Sequence, residues 1–129
     1  MNTPTFEIKA TRNTPAVCFD PAVPSFTVAG NSIPENAGEF YGPIIEQLRQ
    51  QIPAMTDGTS FVFCLPYFNS SSLKAIYLLL NEIKVGMDQG KRFEVIWHME
   101  EEDDFMSDAA DTFSEMTGIP FTLKTGLLT

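Results

Sequence analysis

The side chains in this sequence best placed to do chemistry are three consecutive hydroxyls, Ser70-Ser71-Ser72, preceded by Asn69, and an acidic run, Glu100-Glu101-Glu102-Asp103-Asp104. A serine at the start of a helix can cap free backbone N–H groups. If it is reachable, it can instead accept a phosphate, which those N–H groups and the positive end of the helix dipole tolerate. The acidic run admits two readings as well. Its oxygens can hold Mg²⁺ or Ca²⁺, or they can sit solvated before a helix, where negative charge favours the macrodipole. The spacing does not fit an EF-hand loop, which needs a glycine at its sixth position and a glutamate at its twelfth. A small metal-dependent enzyme or receiver-like domain using residues 100–104 is thus the alternative to a phosphate-accepting switch.

Other chemistries find less support. His98 is the sole histidine, so any Ser-His-acid or Cys-His catalysis must run through it. No G-x-S-x-G elbow, P-loop or G-x-G-x-x-G is present. Cys18 and Cys64 are the only cysteines, both in expected strands, and read as buried thiols rather than a disulfide or a zinc site. A net charge of −9 disfavours nucleic acid and anionic membranes, which would repel this chain, and favours a protein or a cationic ligand. No stretch approaches the roughly 20 apolar residues of a membrane span. The N-terminus lacks the charged-then-apolar pattern of a secretory signal. A cytoplasmic location is expected.

The elements that must position these groups follow from periodicity. With 129 residues, 43% of them hydrophobic, the chain is expected to form one domain over residues 1–129. Residues 5–10, 17–20 and 25–30 read as short strands of an antiparallel opening section, with a turn at 11–15. The loop at 30–36 is rich in Gly, Asn and Ser. A first helix starts at Asn36 with Ala37, Phe40, Tyr41, Ile44, Leu48 and Ile52 inward, and Pro43 is expected to kink or restart it near Gly42.

Phe61-Val62-Phe63-Cys64-Leu65 reads as a central strand covered on both faces. It feeds a second helix, capped by Asn69 or Ser70, with Leu73, Ile76, Tyr77, Leu80 and Ile83 inward and Gly86 and Gly90 ending the pattern. Residues 93–97 form the next strand. A third helix from about Asp104 to Met116 turns Phe105, Ala109, Phe113 and Met116 inward, and residues 119–123 form a last strand. Tyr41, Tyr67, Phe68 and Trp97 are core or interface aromatics, with Phe68 expected to be partly exposed. Successive strand-helix-strand crossovers give an α/β fold with a parallel or mixed sheet. They also put the ends of two parallel strands on one rim, so Ser70 and the acidic run are expected to be neighbours.

Gly30-Asn31-Ser32-Ile33-Pro34-Glu35-Asn36-Ala37, Glu39-Phe40-Tyr41 with Pro43, Tyr67-Phe68-Asn69-Ser70-Ser71-Ser72-Leu73-Lys74, Trp97, Glu102-Asp103-Asp104 and Met106 together resemble the SiaC family of bacterial regulatory phosphoproteins. The resemblance covers nearly the whole chain. It implies a STAS-like (SpoIIAA-like) single domain, a mixed sheet with helices packed on it. It implies a non-enzymatic switch without cofactor, phosphorylated by a partner kinase and dephosphorylated by a serine/threonine phosphatase. The bare form would bind and regulate an effector such as a diguanylate cyclase, in cyclic di-GMP and biofilm control.

By position, the resemblance makes Ser70 the acceptor, with Ser71 the fallback, and gives Asn69 the capping and orienting role. It places Phe68, Ser72, the loop from Asn31 to Asn36 with its Pro34, Glu35 and Asn36, and Glu102, Asp103 and Asp104 near the site and at the partner contact. Departures from the family pattern fall at Asn31, Ile33 and Ala109-Ala110, and they bear on partner identity more than on fold.

Overall fold

The fold is seen in a computed structural model that describes residues 6–126; Thr5 of the expected first strand lies outside them. Six strands form one sheet in chain order: β1 (Phe6–Ile8), β2 (Ala16–Asp20), β3 (Ser25–Ala29), β4 (Ser60–Cys64), β5 (Glu94–Met99) and β6 (Phe121–Thr125). The pairs β1/β2 and β2/β3 are antiparallel, and β3/β4, β4/β5 and β5/β6 are parallel. Each parallel step is bridged by a helix: α1 (Ala37–Gln51), α2 (Ser70–Asp88) and α3 (Asp104–Thr117). The antiparallel opening and the mixed sheet expected from periodicity are both present.

Strand register explains the core. Phe19, Phe26, Phe61 and Val95 lie side by side across the sheet, and Val17, Val28, Phe63 and Trp97 form a second row beside them. All eight are buried in a single cluster with Ile44 and Leu48 of α1, Ile76, Leu79, Leu80 and Ile83 of α2, and Met106, Ala110 and Phe113 of α3. The opposite face is covered less: Cys18, Thr27 and Val62 there are half-buried and Thr122 is exposed, although Ile96 and Cys64 are buried, so β4 is fully covered on one face and only partly on the other. A run of β-formers does not distinguish these cases when its outward residues, Val62 here, are themselves apolar.

Three helical expectations are corrected. Pro43 neither breaks nor restarts α1, because Gly42 and Pro43 both sit on its solvent face, where a missing backbone donor leaves a carbonyl that water can satisfy. The register of α1 does end at Gln51, and Ile52 opens a separate 3₁₀ turn (Ile52–Ala54). Gly86 lies inside α2 rather than ending it. An added Cβ would stand 2.7 Å from Ile52 Cγ2 and 3.0 Å from Phe93 Cε2, so the glycine allows a close approach.

The buried stripes of α2 and α3 are also rotated from expectation. Leu73, Phe105 and Met116 are 43%, 60% and 57% exposed, while Ser72, Ala75, Met106, Ala110 and Thr117 take the inward positions. In α3 both stripes have helical spacing. Asp104, Asp108, Asp111 and Glu115 lie about 100° from the Phe105 stripe and further from the Met106 stripe, which makes the latter the inward one.

The contact at Gly86 yields a stability test. Alanine normally improves a helix by about 1 kcal/mol over glycine. Here Gly86→Ala is expected to lower stability by about 1–3 kcal/mol through overpacking against Ile52 and Phe93. Urea denaturation of the two proteins checks the sign, and a neutral or stabilising result would contradict the packing described.

Candidate functional site

The parallel pairing of β3 with β4 continues past the strands and joins the two loops that leave them. Gly30 N donates to Cys64 O at 2.9 Å, Ser32 N to Tyr67 O at 2.9 Å, and Asn69 N to Ser32 O at 3.0 Å. Gly30 has a φ of +127°, and a Cβ there would meet Pro15 Cα at 3.1 Å, so this exit from β3 requires glycine.

Asn69 is the N-cap of α2, its Oδ1 accepting Ser72 N–H at 3.2 Å. The same oxygen accepts Ser71 Oγ at 3.0 Å and stands 2.9 Å from Ser72 Oγ. Behind it runs a buried hydroxyl chain. Ser72 Oγ lies 2.9 Å from Ser32 Oγ, which is bonded in turn to the Tyr41 hydroxyl of α1. Ser72 Oγ has two acceptors in reach for its proton, Asn69 Oδ1 at 2.9 Å and Ser32 O at 3.0 Å, and in each of the two hydroxyl–hydroxyl links either oxygen can be the donor. Burial pushes the Tyr41 phenol up from 10.0 to about 12, against a smaller downward pull from Ser32.

The three serines therefore occupy three environments. Ser72 is 0% exposed and belongs to the chain beneath the loop. Ser71 is exposed, with its hydroxyl bonded to the cap. Ser70 is exposed on the first turn of α2, and among the described residues its hydroxyl has no hydrogen-bond partner.

Of the other residues expected at the site, Glu35 and Asn36 are exposed, Asn36 capping α1 by accepting Glu39 N–H at 3.0 Å. Pro34 is buried, and Phe68 is only 2% exposed, correcting the expectation of an accessible Phe68. Ser72, Pro34 and Phe68 thus hold the site from below. Phe68 is inside because its ring packs on Phe113 and Phe105 of α3, with centroids 6.2 Å and 5.6 Å away.

That contact also brings the acidic run to the rim. β4 and β5 are parallel neighbours, so residues 100–104 leave the same edge of the sheet as Asn69 and Ser70. Within the run, Glu102 adopts a left-handed φ of 64° and Asp103 caps α3, its Oδ1 accepting Met106 N–H at 3.0 Å. Asp103 is thereby committed to the backbone, and among the described residues no group of three His, Cys, Asp or Glu could hold a metal ion. His98 lies within β5 rather than after it, its Nδ1 3.0 Å from Gly126 O. Cys64 is buried, while Cys18 is half-buried on the less covered face, its thiol pushed up by burial and then by Glu7 and Asp20.

Sequence reasoning put Ser32 in the loop near the site and Tyr41 among the core or interface aromatics, but missed the buried hydroxyl chain that joins them to Ser72. Their link to Ser72 spans 9 and 40 residues and leaves no periodic mark. Their role predicts an alkaline signature. Because the Tyr41 pKa is higher folded than unfolded, its contribution is complete below pH 10 and is lost as pH rises towards about 12, by about 2–3 kcal/mol. Denaturation at pH 9 and pH 11 is expected to show a steeper loss for the natural chain than for Tyr41→Phe. Equal slopes would contradict a buried, neutral phenol.

Comparison with known proteins is consistent with this geometry. The family model for SiaC family regulatory phosphoprotein matches residues 8–125. An uncharacterized protein of Pseudomonas aeruginosa strain UCBPP-PA14 is 26% identical over 117 residues, spanning 91% of this chain and 93% of the relative. The structure of SiaC of Pseudomonas aeruginosa superposes with a TM-score of 0.84 at 24% identity, covering 96% of this chain and all (100%) of that one. The crystal structure of diguanylate cyclase SiaD in complex with its activator SiaC, from the same organism, matches with a TM-score of 0.84 at 25% identity, covering 94% and 99%. With the family model matching from β1 through β6, the chain belongs to the SiaC family of regulatory phosphoproteins.

Proposed function

We propose that this chain is a switch that is phosphorylated on Ser70 by a partner kinase and restored by a partner serine/threonine phosphatase. Its bare form binds and regulates an effector of the diguanylate cyclase kind, with cyclic di-GMP and biofilm behaviour as the output. It works as one domain over residues 1–129, in the cytoplasm. Among the described residues no helix is long and apolar enough to cross a membrane.

The observation that carries this reading is the separation of the three hydroxyls. Ser72 is sealed beneath the loop, Ser71 is bonded to Asn69, and Ser70 faces solvent with its oxygen unengaged among the described residues. A kinase needs an accessible oxygen, and only Ser70 offers one without first breaking a hydrogen bond. The exposed start of α2 tolerates the product, because its first N–H groups and dipole favour an anion. The relative SiaC, as activator of SiaD, gives the effector its expected class.

The switch itself is electrostatic and local. Phosphorylation adds about −1.5 to −2 charges. Burying that dianion in an interface costs desolvation and disturbs whatever charge pattern the partner was matched to, without unfolding the domain.

Co-expression with the cognate kinase followed by intact-mass measurement is expected to show one added phosphate, lost in Ser70→Ala and retained in Ser71→Ala. Effector affinity is expected to fall at least about tenfold, or about 1.4 kcal/mol, in Ser70→Asp, and to hold within about twofold in Ser70→Ala. A phosphate that survives Ser70→Ala, or equal affinities of the Asp and Ala variants, would overturn the assignment.

A further inference from the structure

The rotation of α2 and α3 leaves an open groove of about 520 Å³ between them, beginning at Phe68, two residues from Ser70. Its walls are apolar: Leu73 and Tyr77 from α2 face Phe105, Ala109 and Met116 from α3. Phe105 and Met116 lie eleven positions apart on one stripe, a run of about 16 Å or three helical turns. A contiguous, exposed apolar strip of this kind on a small acidic domain marks an interaction surface.

The two rims carry opposite charge. On the outer side of α3, Asp104, Asp108, Asp111 and Glu115 form one stripe, and no Lys, Arg or His occurs between residues 99 and 117. Among the described residues none of the four is in an ion pair. On the α2 side, Lys74 is the only charged residue between positions 70 and 81, and it too is without an ion-pair partner there.

We propose that this groove docks an amphipathic helix of a protein partner, with Lys or Arg along the edge facing α3 and no cation along the edge facing Lys74. A cleft between two helices accepts a third through an apolar stripe at i, i+3/i+4 and i+7 spacing, and the acidic rim selects the charge beside that stripe. A second copy of this chain is a poor occupant, since at a net charge of −9 its own α3 stripe would be repelled. The proposal deepens the switch reading and rests on its premise that the chain acts by docking a protein. Ser70 lies one helical turn before Lys74, so a phosphate there turns the single cationic rim anionic and mismatches the edge built for Lys74.

Three synthetic helical peptides test the groove by fluorescence anisotropy against the full chain. One carries a Leu stripe with Lys on one flank and Glu on the other, one has Glu on both flanks, and one keeps the first peptide's charges but replaces Leu by Ser. The first is expected to bind at least about tenfold more tightly than either control. It is expected to weaken at least about tenfold with the Phe105→Glu, Met116→Glu double variant and with the Asp108→Lys, Asp111→Lys double variant. Phe105 also packs on Phe68, so Met116→Glu alone is measured beside the double variant and is expected to weaken peptide binding too; Met116, Asp108 and Asp111 are exposed, and an unchanged melting temperature verifies the fold of those variants.

Equal binding of the three peptides, or either double variant binding like the natural chain, would overturn the proposal. A dimer in sedimentation that Met116→Glu dissociates would do so too, assigning the groove to a second copy. The assay uses no kinase, so a groove without affinity and a Ser70 that takes no phosphate are separately visible failures.

Discussion

A carboxamide oxygen with three donors around it governs the geometry of this protein's working edge. Asn69 Oδ1 receives the backbone of Ser72 and the hydroxyl of Ser71, and it lies within hydrogen-bond distance of Ser72 Oγ. A neutral cap of this kind is ordinarily worth about 1 kcal/mol. Here it is joined to a buried relay through Ser72 and Ser32 to Tyr41, where an unmet partner would carry the full cost of a desolvated polar group. The loop entering α2 is thus tied to the loop leaving β3 and to the flank of α1. The outward direction of Ser70 follows from the inward direction of Ser72, since successive helical residues are turned by about 100°.

The same economy sets the chemistry of the rim. Parallel β4 and β5 deliver the hydroxyl loop and the acidic run to one edge, and the packing of Phe68 on Phe105 and Phe113 holds α3 against that loop. The acids are divided by role. Asp103 satisfies a backbone donor at the start of α3, while Asp104, Asp108, Asp111 and Glu115 face outward and give the adjoining apolar cleft its charge. A phosphate on Ser70, as proposed, would act where apolar contact, one lysine and an acidic stripe meet, and that single added group would change the match of the whole surface.

Much of this was legible in the residues. Alternation in Ser25 to Ala29, the apolar run at Phe61 to Leu65 and the helical spacing after Asn69 gave the elements, and short crossovers between strands gave the shared rim. Asn69 was readable as a cap because a short polar side chain before an apolar helical pattern has few other uses, whereas the capping role of Asp103 was hidden within a run of five acids. What escaped was tertiary. Nothing local tells Leu73 from Ser72 as the inward residue, because the buried serine is admitted only by partners arriving from another loop and another helix. Pro43 looked disruptive in one dimension and is harmless on an exposed face. Gly86 looked like a helix end because the close approach of Ile52 and Phe93 is invisible in the chain order.

The geometry of this edge rests on Ser32 and Ser72 acting as one buried unit that holds the first turn of α2 in place. A double-mutant cycle of Ser32→Ala and Ser72→Ala, read as unfolding free energy in urea, tests it most directly. Residues sharing one buried network are predicted to couple by about 1 kcal/mol, the second substitution costing less once the first has been made. Additivity within about 0.3 kcal/mol would mean that the two hydroxyls are independent and that the turn is held by something else.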